Sequence, residues 1–473
     1  EVQVEEAKKY FKKAGIETVV KGISSTNDIQ DTAKSLMSQT EVIFIPTDNT
    51  IVSAINTLVD LSKETKIPVV GSDAGSVEKG VLFTYGTNYE ALGRQTGKLA
   101  GRVIRGEKIK DVDAEYPKTL NVVVNHDMAK ELGIDMSSMS DEESNAAMKD
   151  DKPIAKKDKG VIKLQVKKSS KNGFSNVVLT AISQGLLWAI MAIGVFITFR
   201  ILDLADLTAE GAFPLGAATT TIMIIRGINP IFATIGGFVT GMFAGAVSGF
   251  MHTKMKIPAL LTGIITLTGL YSVNLLVLGS ANVSLAGHNT LVTMVMGLGL
   301  SKLNGVILLG LIFVSLVVLM LVVLLNTQVG LALRATGDNL AMGEANGIKV
   351  DRMKILGYMI SNGLIALSGA LLAQNNGYAD MNMGTGTIVN GLAAIILAEV
   401  IVKYLPLGKR LWSIVLGAVL YRLVLVIILA MNVDAQMLKL ASAILLSIIL
   451  YVPEVRGKLK IKPNKSLTTG GDK

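Results

Sequence analysis

The residues with chemistry to offer lie in three short stretches. The first is Arg200–Gly216, RILDLADLTAEGAFPLG, which sets Asp203, Asp206, Thr208, Glu210 and Pro214 between long apolar runs. Ionisable groups beside such runs are costly to bury and tend to line polar paths. An interrupted helix is tolerated there if it faces protein or a water-filled cavity. Asp206, Thr208 and Glu210 are therefore candidates for a translocation path. An ordinary cytoplasmic turn accounts for Asp203 and Asp206 equally well.

The second stretch is a pair of compact polar loops, Pro46–Thr50 and Gly71–Gly75, each following a buried apolar run. Free N–H groups at a helix start attract an anion such as a carboxylate, and an aspartate can meet an ammonium. Thr47, Asp48, Asn49, Thr50 and Asp73 thus form a candidate site for an amino-acid-like zwitterion. Plain helix capping by Asp48, Asn49 and Thr50 is the competing reading. The third stretch is Gln328–Asp351, QVGLALRATGDNLAMGEANGIKVD. Its middle, Asn339–Asn346, can form a short helix capped by Asp338 and ended by Gly347. It suits docking to a soluble partner, or is a surface connector.

No catalytic set emerges. His126, His252 and His288 are scattered, cysteine is absent, and no phosphate-binding loop is present: Leu92 stands where Gly97-Lys98 would need its first glycine. No catalytic residue, metal or cofactor is assigned, and active transport would draw its energy from another subunit.

These stretches sit in two unlike halves. Half of the 473 residues are hydrophobic, only 18% are charged, and the mean hydropathy is +0.50. Residues 1–172 are rich in Lys, Glu and Asp; residues 177–452 carry long apolar runs. The expected organisation is an α/β lobe over 1–135, a charged linker over 136–172, a membrane domain over 173–455 and a basic cytoplasmic tail over 456–473. In the first part, helix patterns at 2–14, from about 27 to 39, at 50–65 and at 88–105 alternate with strand patterns at 16–23, 41–45, 67–70 and 81–85. Alternation of this kind implies a parallel sheet covered by helices, with ligands at the strand ends. The linker cannot bury a core, and its basic part, Lys156–Lys171, is a solvated tether or a lipid-surface contact.

A helix needs about 20 apolar residues to cross the hydrocarbon core. Nine candidates fall at about 177–199, 210–226, 230–252, 257–279, 304–326, 354–374, 386–403, 410–431 and 436–452, with a re-entrant or interfacial segment at 287–299. The net charge of +9 is read as topology rather than as nucleic-acid binding. Every second junction is basic, at Arg200, Lys254 and Lys256, Arg334 to Lys354, Lys403 to Arg410, and Arg456 to Lys462. These junctions are expected on the cytoplasmic side with the C-terminus, and the N-terminus outside. Gly241, Gly245 and Gly249 recur every four residues and predict close helix packing.

VEEAKKYFKKAGIE, STNDIQ, FIPTDNTIVSAI, IPVVGSDAGSVEKG and TYGTNYEALGRQTGKLA carry a resemblance over about residues 1–135. They resemble the ABC substrate-binding proteins of the tryptophan and tyrosine uptake family, which are two-lobed and periplasmic-binding-protein-like. GLALRATGDN, followed by Gly347-Ile348, together with DLADLTAEGAFPLGA, resembles permeases of the branched-chain amino-acid and ribose importer type over about 175–455. The implied architecture is multi-domain, a partial α/β binding lobe ahead of an all-α polytopic permease of about nine spans. The implied partners are an ABC ATPase on the cytoplasmic side, a second permease copy as a homodimer, a small solute and the lipid bilayer of a bacterial cytoplasmic membrane. The resemblance makes Arg334, Thr336, Gly337, Asp338, Asn339, Glu344 and Gly347 the ATPase-coupling segment.

The runner-up is a secondary transporter driven by an ion gradient through Asp206, Glu210 and Glu399. A sensor with a membrane anchor ranks last, because nine spans exceed what an anchor needs. The chain opens at Glu1 on a helix with no strand before it, so a processed or truncated chain is expected, holding one wall of a two-lobed cleft. Residues 1–135 alone should accordingly bind aromatic amino acids weakly or not at all. Calorimetry on that fragment tests this, and micromolar binding would refute it.

Overall fold

The computed structural model describes residues 2–23, 29–87, 89–108, 112, 115, 117, 120–136, 143–144, 173–285, 287–401, 406–430, 440, 442–448 and 451. They divide into two compact units, residues 1–173 with 282–287 and 376–378, and the remainder.

In the first unit, strands β1 (Ile43–Ile45), β2 (Val69–Gly71) and β3 (Phe83–Thr87) run parallel. Strands β4 (Leu120–Val124) and β5 (Glu143–Ser144) extend the sheet antiparallel, in the order β1-β2-β3-β4-β5. Ile45, Ile55, Leu58, Val69, Val81 and Leu82 are buried in its core. Apolar positions in Ile55–Thr65 recur three and four apart, which puts Ile55, Leu58, Val59 and Leu61 on the buried face.

Several expectations are refined. Residues 16–23 form no strand; Ile16, Val19 and Val20 are exposed, so their β-branched character meets no sheet to pair with. The helix expected over 50–65 divides at Ala54 into Asn49–Ser53 and Ile55–Thr65. Strand β4 and helix His126–Leu132 were missed. Their antiparallel return departs from the simple strand–helix alternation that guided the reading. Glu143–Ser144 lie inside the stretch read as linker yet pair with β4. The rest of that linker from 145, and the basic tail, lie outside the described residues. Helix Tyr89–Ile104 has no buried residue.

In the second unit, among the described residues, seven helices are long and apolar enough to span a membrane: Val178–Ile201, Pro230–Thr253, Ala259–Leu278, Lys302–Asn326, Val350–Asn376, Met381–Ile401 and Leu407–Ile428. An eighth expected span, Ala209–Ile225, is present as a shorter apolar helix. Of the ninth, 436–452, residues 440, 442–448 and 451 are described, and all of them are helical. The segment 287–299 contains the short helix Leu291–Met296, closed by a capping box between Thr290 and Thr293.

Val178–Ile201 and Val350–Asn376 are the inner helices. Leu187, Ile190, Ile193, Tyr358, Leu364 and Ala370 are all buried. The outer helices are apolar on both faces. Phe232 and Phe243, for example, stay exposed, as suits a lipid-facing side. Their inner faces are lined by small residues. Gly241 backs onto Asn362 and Ala366, Gly245 onto Tyr358, and Gly249 onto Ile355, so helix Pro230–Thr253 lies backbone to backbone on Val350–Asn376. Gly216 meets Ala366 in the same manner, and Gly369 meets Phe213. Lipid tails are as apolar as side chains, so close van der Waals contact through small residues is what holds such helices together.

Gly245→Ala would drive a methyl onto the Tyr358 carbonyl, and overpacking of this kind costs about 1–3 kcal/mol. Gly269 has open space around it, so Gly269→Ala should be neutral or raise stability by up to about 1 kcal/mol through helix propensity. Thermal unfolding of the detergent-solubilised chain separates the two; equal melting temperatures would contradict the packing.

Candidate functional site

In the first unit, the two polar loops lie side by side at the ends of β1 and β2. Thr47 Oγ1 and Ser72 Oγ are 2.8 Å apart and link them. Asp48 is spent on capping: its Oδ1 accepts from Thr50 N at 2.8 Å and Ile51 N at 3.1 Å. Asp73 does the same for Ala74–Glu78, accepting from Ser76 N at 2.9 Å and Ser76 Oγ at 2.7 Å. Thr47 and Asp48 remain exposed, and Thr50 and Asp73 half-buried; the side chain of Asn49 lies outside the described residues.

In the second unit, the chain leaves helical geometry after Ile201 and resumes it at Ala209. Asp203 takes a left-handed turn there, φ 54°, a conformation aspartate tolerates better than most residues. The intervening residues run between packed helices, with Leu202 against Gly357 and Leu207 against Gly263. Asp206 is buried. Its Oδ1 accepts from Thr208 N at 2.9 Å, and its Oδ2 accepts from Asn362 Nδ2 at 2.8 Å. The relay continues from Thr208 Oγ1 to Ser248 Oγ at 2.9 Å, and from Ser248 Oγ to Thr266 Oγ1 at 2.9 Å. Three helices, Val350–Asn376, Pro230–Thr253 and Ala259–Leu278, are tied to the break by this chain of hydrogen bonds.

Glu210 is half-buried and accepts from Gly386 N at 3.1 Å, beside the start of helix Thr387–Ile401. Pro214, four residues on, has no N–H for the Glu210 carbonyl, and Gly384 packs directly against that oxygen. The three translocation-path candidates thus divide, with Asp206 and Thr208 in one network and Glu210 at a second helix start. Glu399 is gripped between Arg200 Nη2 and Arg410 Nη2, the latter at 3.0 Å. That ion-paired setting does not favour an ion-coupling role.

The coupling candidates occupy two helices, of which the first was missed. Gln328–Asp338 begins at Thr327, whose side chain accepts from Gly330 N. Thr336 is buried, Gly337 abuts Ile201, and Arg334 Nη2 donates to Leu325 O at 3.0 Å. Helix Leu340–Ala345 follows, capped by Asn339 rather than Asp338, through Met342 N at 3.0 Å. Asp338 instead ends the preceding helix. Gly347 closes the segment at φ 76°. Gly347 N bonds to Glu344 O at 2.9 Å and Ile348 N to Gly343 O at 3.0 Å, the paired bonds of a Schellman stop. Asp338, Asn339, Glu344 and Gly347 are exposed, as are the apolar Leu340 and Met342.

A further pocket escaped the sequence reading. Trp188, Met191, Asn390, Tyr421 and Arg422 line it. The available signal was Arg422 itself, a lone cation in the apolar run Leu411–Ala430.

Comparison with known proteins agrees with both halves. Residues 177–452 match the branched-chain amino acid transport system / permease component family, and residues 1–146 match the ABC transporter substrate binding protein family. The chain belongs to that permease family, with a substrate-binding domain ahead of it. A tyrosine transport system permease protein of Clostridioides difficile is 37% identical over 293 residues, 61% of this chain and 95% of that one. A tyrosine-binding protein of the same organism is 35% identical over 139 residues, 29% of this chain; the chain spans only 40% of its length. An autoinducer 2 import system permease protein, LsrC, of Salmonella typhimurium is 25% identical over 46% of this chain and 59% of its own. The chain is a permease subunit of an ABC importer for a small solute. It works in a cytoplasmic membrane with an ABC ATPase, and its relatives are transport subunits rather than enzymes.

Asp206→Ala would leave the Asn362 amide and Thr208 N–H without their acceptor, at about 1–3 kcal/mol for a buried unsatisfied group. A lower melting temperature is expected, whereas Glu344→Ala on the exposed helix should melt like the parent. An unchanged melt for Asp206→Ala would mean the break is held by something else.

Proposed function

We propose that two copies of this permease pair in the cytoplasmic membrane and import an aromatic amino acid, driven by ATPase subunits docked on Arg334–Gly347. The supporting observation is helix Leu340–Ala345, which presents Leu340, Met342 and Glu344 outward between two spans. Exposed apolar side chains on a rigid, doubly capped helix are what a partner surface requires. Gly337 packs on Ile201, so a push on this segment reaches the interrupted stretch that begins at the next residue. In this reading Arg334, Thr336 and Gly337 anchor the segment, and Asp338, Asn339, Glu344 and Gly347 shape the docking helix.

The basic junctions support a cytoplasmic position for this segment and the C-terminus, and an outside position for the N-terminal lobe. The four parts are read as binding lobe 1–135, linker 136–172, permease 173–455 and tail 456–473. The names of the two Clostridioides difficile relatives support tyrosine as the solute. Thr47, Asp48, Asn49, Thr50 and Asp73 would then offer one wall for the zwitterion, and Asp206, Thr208 and Glu210 would flank the path within the membrane. A tethered lobe raises the donor's effective concentration at the permease.

Replacing residues 337–344 by a flexible linker should abolish ATP-driven tyrosine uptake in proteoliposomes holding the permease and its ATPase, while the chain still folds and inserts. Uptake at the parental rate would remove the coupling assignment.

A further inference from the structure

We propose that the junction of Arg200, Glu399 and Arg410 binds an anionic phospholipid, whose phosphate meets the two guanidiniums and whose acyl chain runs along Trp412 and Leu416.

The three charged residues come from the ends of three membrane helices. Arg200 closes Val178–Ile201, Glu399 lies in the last turn of Met381–Ile401, and Arg410 lies in the first turn of Leu407–Ile428. Their meeting point is therefore at the boundary between hydrocarbon and water. Arg200 Nη2 and Arg410 Nη2 each donate to Glu399, on different carboxylate oxygens. Among the described residues Glu399 is the one acid that either guanidinium meets. A guanidinium has five N–H donors, so most of those on both forks remain for a further acceptor. The side chains of Arg200 and Arg410 are 39% and 43% exposed, so a ligand can reach them. The charge is also unbalanced, because one carboxylate faces two permanent cations. Lys409, exposed beside Arg410, adds a third. Their helix gives Lys409 and Arg410 no relief: its first turn contains no acid, and the backbone at that end is itself positive.

Both guanidiniums are steadied by aromatic rings. Arg410 lies over Phe196, 5.0 Å from the ring centre, and Arg200 over Phe199 at 5.4 Å. Phe196 is buried, so the Arg410 fork is positioned before a ligand arrives. Such a fork matches phosphate oxygens in paired hydrogen bonds. The neighbouring surface selects a lipid as the phosphate carrier. Lys409, Trp412 and Leu416 are exposed at intervals of three and four on one face of helix Leu407–Ala430. A cation, an amphipathic ring and an aliphatic side chain thus follow one another toward the membrane interior. Headgroup, interface and acyl chain follow in the same order. A soluble phosphate would leave the two apolar members uncovered. The excess of cations favours a headgroup of net negative charge over a zwitterionic one, which brings its own ammonium. A lipid held there would bridge the ends of all three helices.

The chain has two tryptophans, Trp188 and Trp412, so Trp188→Phe makes Trp412 the sole reporter. The full chain with that change is reconstituted in phosphatidylcholine vesicles containing a small fraction of brominated phosphatidylglycerol or, separately, brominated phosphatidylcholine. Bromine quenches an indole that it touches. The anionic lipid should compete for the place beside Trp412 at least about five-fold better than the zwitterionic one, the effect of a single basic residue at a charged headgroup. Arg200→Gln and Arg410→Gln should each remove most of that preference, and Lys256→Gln, at another span end, should leave it intact. If neither arginine variant folds, Lys409→Gln decides, and the preference should fall. Equal quenching by the two lipids would overturn the site. A preference that none of the folded variants at Arg200, Lys409 and Arg410 lowers would also overturn it, leaving a diffuse attraction to a basic chain. Displacement of the brominated phosphatidylglycerol by inorganic phosphate would overturn the lipid as ligand in favour of a free anion.

Discussion

Lipid supplies no hydrogen bonds, and this permease interrupts its backbone between two apolar helices. Everything else in the second unit answers that constraint. The stretch after Ile201 survives because protein surrounds it, and because Asp206 gathers the Thr208 N–H and the Asn362 amide on its carboxylate. Asn362 belongs to Val350–Asn376, the helix against which Gly241, Gly245 and Gly249 of Pro230–Thr253 pack. Close backbone packing and satisfaction of the break are thus one arrangement. The glycines bring the helices near enough for short polar side chains to reach across.

The same arrangement has a mechanical consequence. One end of the interrupted stretch abuts Gly337 in the cytoplasm-facing reading of the chain, and the other leads through Glu210 to the start of helix Thr387–Ile401. Segments outside regular helical geometry bend more readily than helices, and bistable elements turn small shifts into larger ones. Arg200, Glu399 and Arg410 join three helices at a second point. An ATPase acting on Leu340–Ala345 would therefore act on a connected set of helices rather than on a single loop.

Much of this was legible in the sequence, and the failures have physical causes. Long apolar runs announce membrane helices because a helix satisfies its own backbone in lipid, and all nine expected spans coincide with helical stretches among the described residues. The four-residue glycine spacing announced a contact face, though not which helix it meets. Residues 16–23 misled because β-branched composition expresses fitness for a sheet, and none of the described strands pairs with them. Gln328–Asp338 was missed because its Gly330 and Gly337 lower helix propensity, while their function is close approach to Leu325 and Ile201. The cap at Asn339 rather than Asp338 is a one-residue matter that either side chain could satisfy. Arg422 was passed over because hydropathy averaging dilutes a single cation among leucines and valines.

Placement of helix Leu340–Ala345 at the ATPase is the claim on which the transport account turns. The chain has no cysteine, so Glu344→Cys introduces a single thiol on that helix. With a membrane-impermeant maleimide, labelling is expected only in inside-out vesicles, and bound ATPase subunits should protect the thiol. Labelling from outside intact cells, or labelling that the ATPase leaves unchanged, would contradict it.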